Sequence, residues 1–315
     1  MTGLILSKAA NIYLKLSEAH GLDASTWHAF AQVEALRELS IEKRQQITWM
    51  LAEPNLATDA IAMLPNLKWL QSTWAGIDRL LGAGSPKHFT LTNIKGLFAP
   101  LMSEYALSHI LAHERQLLTH HDAFTRRTWH EHTTGVIRGK TVMLLGMGSI
   151  GGGMAHIFKA LGLHVIGIMH TPRPVPGVDE VGALKDLAIL LPRADYVINV
   201  LPNTPDTQDI FDAAFFAQMP THALFMNVGR GQSVIEADLA EALQTGVIAA
   251  AVLDVYRNEP LPIDHVFWDT PHLTLTSHTA APSFPEEVFE IFKDNLERFS
   301  TGQALCHVVD FNKGY

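Results

Sequence analysis

The sequence predicts an α/β fold in two domains, and three observations carry that expectation. Apolar runs of strand length alternate with helical runs through the first hundred residues and again from Lys140 onward, the pattern of parallel sheets covered by helices. The second series opens on KTVMLLGMGSIGGG, Lys140 to Gly153, where an apolar run ends abruptly in glycines. The chain is also long for one core: 315 residues, 47% of them hydrophobic and 17% charged, can bury two.

In the first series, residues 4–6 read as a strand, 8–19 as a helix, and 47–51, 67–72 and 88–92 as further strands of a small parallel sheet. Gly82-Ala83-Gly84-Ser85-Pro86 reads as a loop between the last two elements. Residues 101–121 repeat apolar side chains at helical spacing without Gly or Pro, which predicts one helix crossing from one domain to the next. The second series places strands at 141–145, 164–168, 196–201, 223–228, 248–253 and 273–276, with helices at 154–161, 183–191 and 237–245, a doubly wound arrangement. Pro282 and Pro285 mark the start of a final helix at 286–300 that could return to the first domain and make it discontinuous.

Residues 141–145 have the length and side chains of a buried strand, and Gly146-Met147-Gly148-Ser149-Ile150-Gly151 follows with G-x-G-x-x-G spacing. The first glycine permits a tight turn, the second lets backbone approach a pyrophosphate, and the third lets the next helix pack closely on the strand. That helix would turn its N-terminal amides and positive dipole end toward the phosphates. Glycine-rich turns are common by themselves. The strand before, the helix after and the second strand at 164–168 make this one a dinucleotide site.

Composition narrows the partners. A net charge of −9 without a Lys/Arg block argues against nucleic acid or an anionic membrane surface. No apolar run approaches the roughly 20 residues that span a bilayer, and the N-terminal stretch, interrupted by Lys8 and Lys15, does not read as a signal peptide. Cys306 is the only cysteine, which excludes intrachain disulfides and fits a reducing cytoplasm. Among the 17 histidines, His109 and His113 share a helix face, but no x-x-His follows His113-Glu114, and His120, His121, His130 and His132 lack a ligand framework. No metal is expected.

In open α/β sheets ligands bind beyond the carboxyl ends of the strands. Three polar residues of the second series stand there: Arg230 after Met226-Asn227-Val228-Gly229, Glu259 after Asp254-Val255-Tyr256, and His278 after Thr274-Leu275-Thr276-Ser277. An arginine can hold a carboxylate in a two-pronged fork, a histidine can exchange a proton near neutral pH, and a neighbouring glutamate can orient and charge the imidazole. Singly they read more readily as a loop cap, a solvated acid before Pro260 and a satisfied loop histidine. Together, on one nucleotide fold, they suit the reduction of a 2-oxo acid.

At these residues the chain resembles the D-isomer-specific 2-hydroxyacid dehydrogenase family over nearly its whole length. The matching segments are Gly146 to Gly151, Ala194-Asp195-Tyr196 to Leu201-Pro202-Asn203-Thr204-Pro205, Asn227-Val228-Gly229-Arg230-Gly231, Leu253-Asp254-Val255-Tyr256 with Glu259-Pro260, and Ser277-His278. Trp69-Leu70-Gln71-Ser72-Thr73-Trp74-Ala75-Gly76-Ile77-Asp78, and Glu259-Pro260-Leu261-Pro262 with Asp264-His265 and Phe267-Trp268, resemble its glyoxylate/hydroxypyruvate reductase branch. Ser277 departs from the family, whose members commonly carry proline there.

The resemblance implies two domains: a smaller flavodoxin-like substrate domain of residues 1–100 plus 281–315, and a Rossmann-like NAD(P)-binding domain of residues 101–280. It makes Arg230 the carboxylate- and carbonyl-binding arginine, Glu259 the histidine's partner and His278 the proton donor. Trp74, Ala75 and Gly76 fall in the small-domain loop whose amides grip the substrate carboxylate, and Asp254 matches the residue that holds the nicotinamide amide. Further cofactor contacts are expected from Gly146, Gly148, Ser149, Ile150 and Gly151, from Leu201, Pro202 and Thr207, and from Val228 and Gly229. The implied activity is reduction of a small 2-oxo acid, glyoxylate or hydroxypyruvate first, to the D-2-hydroxy acid, in a homodimer joined through the nucleotide domain. Trp49, Trp74 and Trp268 are candidates for limiting the pocket. The alternative is a nucleotide-sensing, corepressor-like interaction protein on the same fold, for which no peptide-docking extension or charged tail is evident.

The expected cofactor is NADP(H) in preference to NAD(H), with NAD possible. NAD-specific sites place an acid about 20 residues beyond the glycines, at the end of the second strand, to bind the ribose 2′-hydroxyl. Here that strand ends in Met169-His170-Thr171-Pro172-Arg173, with no Asp or Glu before Asp179. Arg173, Thr171 and a protonated His170 could bind a 2′-phosphate.

Overall fold

The computed structural model describes residues 1–82, 84–131 and 134–311, so Ala83 of the glycine-rich loop and His132 lie outside the described residues. The chain divides into two compact units, Met1–Leu97 with Ser283–Tyr315, and Phe98–Pro282.

The first unit runs β1 (Gly3–Leu6), α1 (Ala10–Ala19), β2 (Trp27–Phe30), α2 (Glu34–Arg37), α3 (Ile41–Gln46), β3 (Trp49–Ala52), α4 (Pro54–Ile61), β4 (Trp69–Ser72) and β5 (Thr90–Thr92). They form a parallel sheet in the order β2-β1-β3-β4-β5. The sequence reading passes over β2. Its four residues, Trp-His-Ala-Phe, are all only partly buried at the sheet edge, so they lack the apolar run by which the central strands announce themselves. The chain's last helix, Pro285–Thr301, packs in this same unit. Val288, Phe289, Phe292 and Leu296 make its buried stripe, Pro285 occupies its first turn, and Gly302 closes it at φ 70°.

Phe292 stacks on Trp69 at 5.7 Å between ring centroids and meets Trp49 at 5.3 Å. Trp49 is fully buried, and a Cβ on Gly3 would fall 1.9 Å from its ring. This tryptophan is therefore core, which corrects its candidacy as a pocket wall.

The second unit runs α5 (Phe98–Glu114), α6 (Leu117–Thr125), β6 (Thr141–Leu145), α7 (Ser149–Ala160), β7 (His164–Ile168), β8 (Glu180–Gly182), α8 (Leu187–Leu190), β9 (Tyr196–Asn199), α9 (Ala213–Phe216), β10 (Leu224–Asn227), α10 (Glu236–Gln244), β11 (Ala250–Leu253) and β12 (Leu273–Leu275). The sheet is parallel throughout, in the order β12-β11-β10-β9-β6-β7-β8. The order reverses beside β6, where doubly wound sheets bind ligands.

Three predicted helices differ. The single helix at 101–121 is two, α5 and α6, broken where Gln116 takes φ 48°, and both lie wholly in the second unit rather than crossing between units. The helix at 183–191 is a 3₁₀ turn, a four-residue α-turn and another 3₁₀ turn, with Pro192 denying an amide to any continuation. The helix after the glycine loop starts at Ser149, not residue 154, so Gly151, Gly152 and Gly153 are helical. Close packing explains Gly153: a Cβ there would sit 2.4 Å from the Ala99 methyl on α5.

Candidate active site

The glycine turn is built by three different constraints. Gly146 has φ +107°, and a Cβ on it would lie 2.8 Å from the Val200 carbonyl oxygen; one on Gly151 would lie 1.9 Å from the Gly146 oxygen. These two are required by the protein's own packing. A Cβ on Gly148 meets nothing within 4 Å, and Gly148 and Ser149 are exposed at the N-terminus of the 12-residue α7. Space is thus left beside Gly148 at the helix terminus, the arrangement that admits a pyrophosphate.

Two asparagines that end buried strands hold the neighbouring loops. Asn199 donates from Nδ2 to Asn227 Oδ1 and Ser233 Oγ, both at 2.9 Å, and accepts the Leu201 amide at 3.0 Å. Asn227 donates to the Arg230 carbonyl at 3.0 Å and accepts the Gly229 amide at 3.1 Å, while Ser233 donates to the same carbonyl at 2.6 Å. Both amides are fully buried, and their polar atoms are spent on fixing the backbone around Leu201 and Arg230. The sequence carries a signal for both residues: strands YVIN and LFMN each close an apolar run with asparagine. Gly229 and Gly231 complete the fit, since a Cβ on the first would be 2.8 Å from the Leu201 oxygen and one on the second 1.9 Å from the Tyr256 carbonyl carbon. Thr207, expected at the cofactor, is buried and donates to the Pro202 carbonyl at 2.7 Å while accepting the Thr204 amide at 2.9 Å. Its hydroxyl shapes the loop that carries Leu201 and Pro202.

His278 Nδ1 lies 2.8 Å from Glu259 Oε2, and the other Glu259 oxygen accepts the Tyr256 amide at 3.0 Å. The Glu259 hydrogen bond raises the His278 pKa; burial opposes it, the Glu259 charge adds to it, the Arg230 charge lowers it and Asp254 raises it, for a net rise. Burial pushes the Glu259 carboxyl up, but the bonds from His278 and the Tyr256 amide and the charges of His278 and Arg230 outweigh it, leaving it below the ordinary value. The pair therefore favours carboxylate and imidazolium together. With the two side chains 53% and 36% exposed, it tunes a proton rather than holding the fold. Arg230 donates from its guanidinium to the Gly229 carbonyl at 2.7 Å.

Asp254, expected at the nicotinamide amide, is 1% exposed beneath the His278 loop. Its carboxylate accepts the Thr276 hydroxyl at 2.6 Å and the amides of Thr279 and Ala280 at 2.8 and 3.0 Å. Tyr105 on α5 pairs with Thr276 Oγ1 at 2.7 Å across 171 residues of sequence, a separation at which no local pattern identifies either residue.

At the end of β7, His170, Thr171 and Arg173 are all exposed, with His170 Nδ1 3.2 Å from the Thr171 hydroxyl. Asp179 lies at the other end of that strand, where it accepts the Val165 amide at 2.9 Å and pairs with Lys159. No acid from Asp179 thus reaches the position of a ribose-binding carboxylate. In the first unit, Ser72 Oγ accepts the Trp74 amide at 3.0 Å and donates to its carbonyl, while Asn93 donates to the Ala75 carbonyl at 3.0 Å. These bonds hold the loop of Trp74, Ala75 and Gly76, in which Trp74 is exposed. Among the described residues no three His, Cys, Asp or Glu side chains converge as metal ligands, and no helix is long and apolar enough to cross a membrane.

A bare glycine turn at a helix terminus, with a histidine–carboxylate pair and an arginine at the same strand ends, defines a nucleotide-dependent oxidoreductase. A family model described as D-isomer specific 2-hydroxyacid dehydrogenase, NAD binding domain, matches residues 107–280, and the chain belongs to that family. It is 34% identical to a glyoxylate/hydroxypyruvate reductase A of Serratia proteamaculans over 69% of each chain, and 29% identical to one of Yersinia enterocolitica over 82% of this chain and 84% of that one. Among solved structures, a D-isomer specific 2-hydroxyacid dehydrogenase family protein of Aeromonas salmonicida aligns with a TM-score of 0.92 at 38% identity, covering 98% of this chain and 99% of that one. An NADPH-dependent glyoxylate/hydroxypyruvate reductase of Sinorhizobium meliloti, in complex with NADP and sulfate, aligns with a TM-score of 0.87 at 30% identity over the whole of both. The chain is an NAD(P)-dependent 2-hydroxyacid dehydrogenase.

Proposed function

We propose that this dehydrogenase reduces glyoxylate or hydroxypyruvate, with NADPH preferred over NADH, to the D-2-hydroxy acid. The observation that carries the reading is the His278–Glu259 pair at 2.8 Å, which favours a protonated imidazole at the strand ends where the nucleotide loop lies. NADPH supplies the hydride when bound. His278 delivers a proton to the forming alkoxide, Glu259 retains the imidazolium for it, and Arg230 binds the substrate carboxylate and carbonyl and stabilises developing negative charge. In this reading the turn at Gly148, Ser149 and Ile150 holds the pyrophosphate, and Leu201, Pro202, Val228 and Gly229 line the cofactor. Trp74, Ala75 and Gly76 are proposed, on the family resemblance, to bind the substrate carboxylate through their amides. Relatives named glyoxylate/hydroxypyruvate reductase support the substrate, and the Sinorhizobium meliloti protein's NADP complex supports the cofactor.

The test is a panel of 2-oxo acids assayed with NADPH and with NADH. Glyoxylate and hydroxypyruvate should lead, and kcat/KM should favour NADPH. Arg173→Ala should reduce that preference by about tenfold, the effect of losing one charge-assisted contact. Preference for a bulky branched 2-oxo acid would overturn the substrate; preference for NADH would overturn the cofactor.

The proton donor has its own pH signature. Because Glu259 raises the His278 pKa, the proton needed for reduction is present below that pKa and is lost as pH rises through it. Glu259→Gln removes the anion, so the falling alkaline limb of kcat/KM should move to lower pH. An unmoved limb in a folded variant would show that Glu259 does not charge His278.

The resemblance also proposes a homodimer formed through the second unit. Leu117, Leu118, Phe124 and Trp129 are 54%, 74%, 79% and 87% exposed on and just after α6, an apolar surface of the kind that marks association. Light scattering should give twice the chain mass, and a double substitution Phe124→Glu with Trp129→Glu should give monomers. A monomeric unaltered protein at micromolar concentration would end this proposal. With one cysteine and no Lys/Arg block in the sequence, we place the enzyme in the cytoplasm, away from nucleic acid and membranes.

A further inference from the structure

We propose that Thr276, held between Tyr105 and Asp254, is a positioning residue that fixes the backbone of His278 and so keeps the imidazole on Glu259. The inference rests on the reductase reading for its catalytic consequence, although its structural part does not.

The direction of the hydrogen-bond chain follows from proton counting. Asp254 as a carboxylate can only accept, so the Thr276 hydroxyl, 2.6 Å from Oδ1, donates its single proton there. Tyr105 is then the donor in its 2.7 Å bond to Thr276 Oγ1. Thr276 thereby links α5 to a carboxylate that also accepts the amides of Thr279 and Ala280, while the Asp254 carbonyl accepts the His278 amide at 2.8 Å. Tyr256 adds a bond from its hydroxyl to the Thr276 carbonyl at 2.5 Å. The loop is thus tied to the end of β11 on both sides of His278.

These ties have a strained conformation to hold. His278 has φ +56°, in the left-handed region that few non-glycine residues occupy and whose cost its surroundings must offset. The residue before it, Ser277, is exposed and has no ring to fix its own φ. With a free φ at 277 and an unfavourable one at 278, the ring position depends on the buried polar ties beneath. Releasing the Thr276 bond would let His278 relax and lengthen its contact with Glu259. The charged groups that act on His278 are Glu259, Arg230 and Asp254, and none of them is removed by a change at Thr276 or Tyr105.

The experiment compares the full-length enzyme with Thr276→Val, Thr276→Ser and Tyr105→Phe. Two readouts are used: steady-state reduction of the best 2-oxo acid across pH, and titration of the His278 ring by NMR, assigned with His278→Gln. Valine keeps the branched shape without the hydroxyl. It should lower kcat by about tenfold or more, leave the cofactor KM within about threefold, and move the His278 titration and alkaline limb to lower pH by about half a unit or more. Serine should restore both, and Tyr105→Phe should move both in the same direction by less. A folded Thr276→Val with wild-type kcat and an unmoved His278 titration overturns the proposal, as does a serine variant as impaired as valine. If valine does not fold, Tyr105→Phe decides: an unmoved titration there overturns the proposal. If the unaltered protein reduces no 2-oxo acid, the reductase reading fails, and the NMR arm still decides whether the brace positions His278.

Discussion

Replacing His278 by alanine is expected to lower kcat for reduction by about 10²–10⁴-fold, the range of a general acid, while the cofactor's dissociation constant stays close to that of the unaltered enzyme. The separation of the two effects follows from where the residues stand. His278 follows β12, whereas the turn at Gly148 follows β6, and the loops between are held by Asn199 and Asn227 through bonds to Ser233, to the Leu201 and Gly229 amides and to the Arg230 carbonyl. The backbone at 278 has a left-handed φ of 56°, so alanine adds strain to the loss of the imidazole. Asparagine, which tolerates that conformation better, is the control, and His278→Asn should be equally inactive if the ring is the acid. Fluorescence titration with NADPH and single-turnover reduction separate binding from chemistry. A fall of less than about tenfold in kcat for both variants would remove His278 from the role of proton donor.

Gly231→Ala should be nearly as damaging, for a reason that lies in packing. A methyl group at this position would overlap the Tyr256 carbonyl, 1.9 Å from its carbon and 2.2 Å from its oxygen, with the Arg257 amide nitrogen at 2.5 Å. All three are backbone atoms, so no side chain can turn aside. The residue before is Arg230, and the strand end beyond Tyr256 leads to Glu259. The methyl must therefore push the arginine loop and the glutamate loop apart. Overpacking of this kind costs about 1–3 kcal/mol or more, and kcat/KM should fall by about 100-fold in whatever protein folds. Thermal unfolding and steady-state kinetics check the two halves. A variant with unchanged midpoint and unchanged kcat/KM would mean that the loops do not need this close approach.

The sequence by itself determined the parallel α/β plan and the place of the glycine turn, and it picked out Arg230, Glu259 and His278 as candidates, because each depends on short-range pattern. Buried parallel strands are continuous apolar runs, a pyrophosphate turn needs glycines at set spacing, and ligand-binding residues of such sheets come directly after strands. Edge strands β2 and β8 escaped because partial burial leaves no such run, and the helix predicted at 101–121 hid a break whose cause is the backbone of Gln116. Even the glycines were only half legible. Their spacing marked the turn, but that of Gly146, Gly148 and Gly151 only Gly148 has space for a side chain, while the other two are hemmed in by backbone, depends on where Val200 and the turn itself come to lie. The tertiary structure alone decided that Asn199 clamps Asn227, that Asp254 lies under the His278 loop and that Tyr105 reaches Thr276. These contacts join strands and helices far apart in the chain. A hydrogen bond between such residues is set by the packing of the sheet and helices that carry them, which no local spacing records.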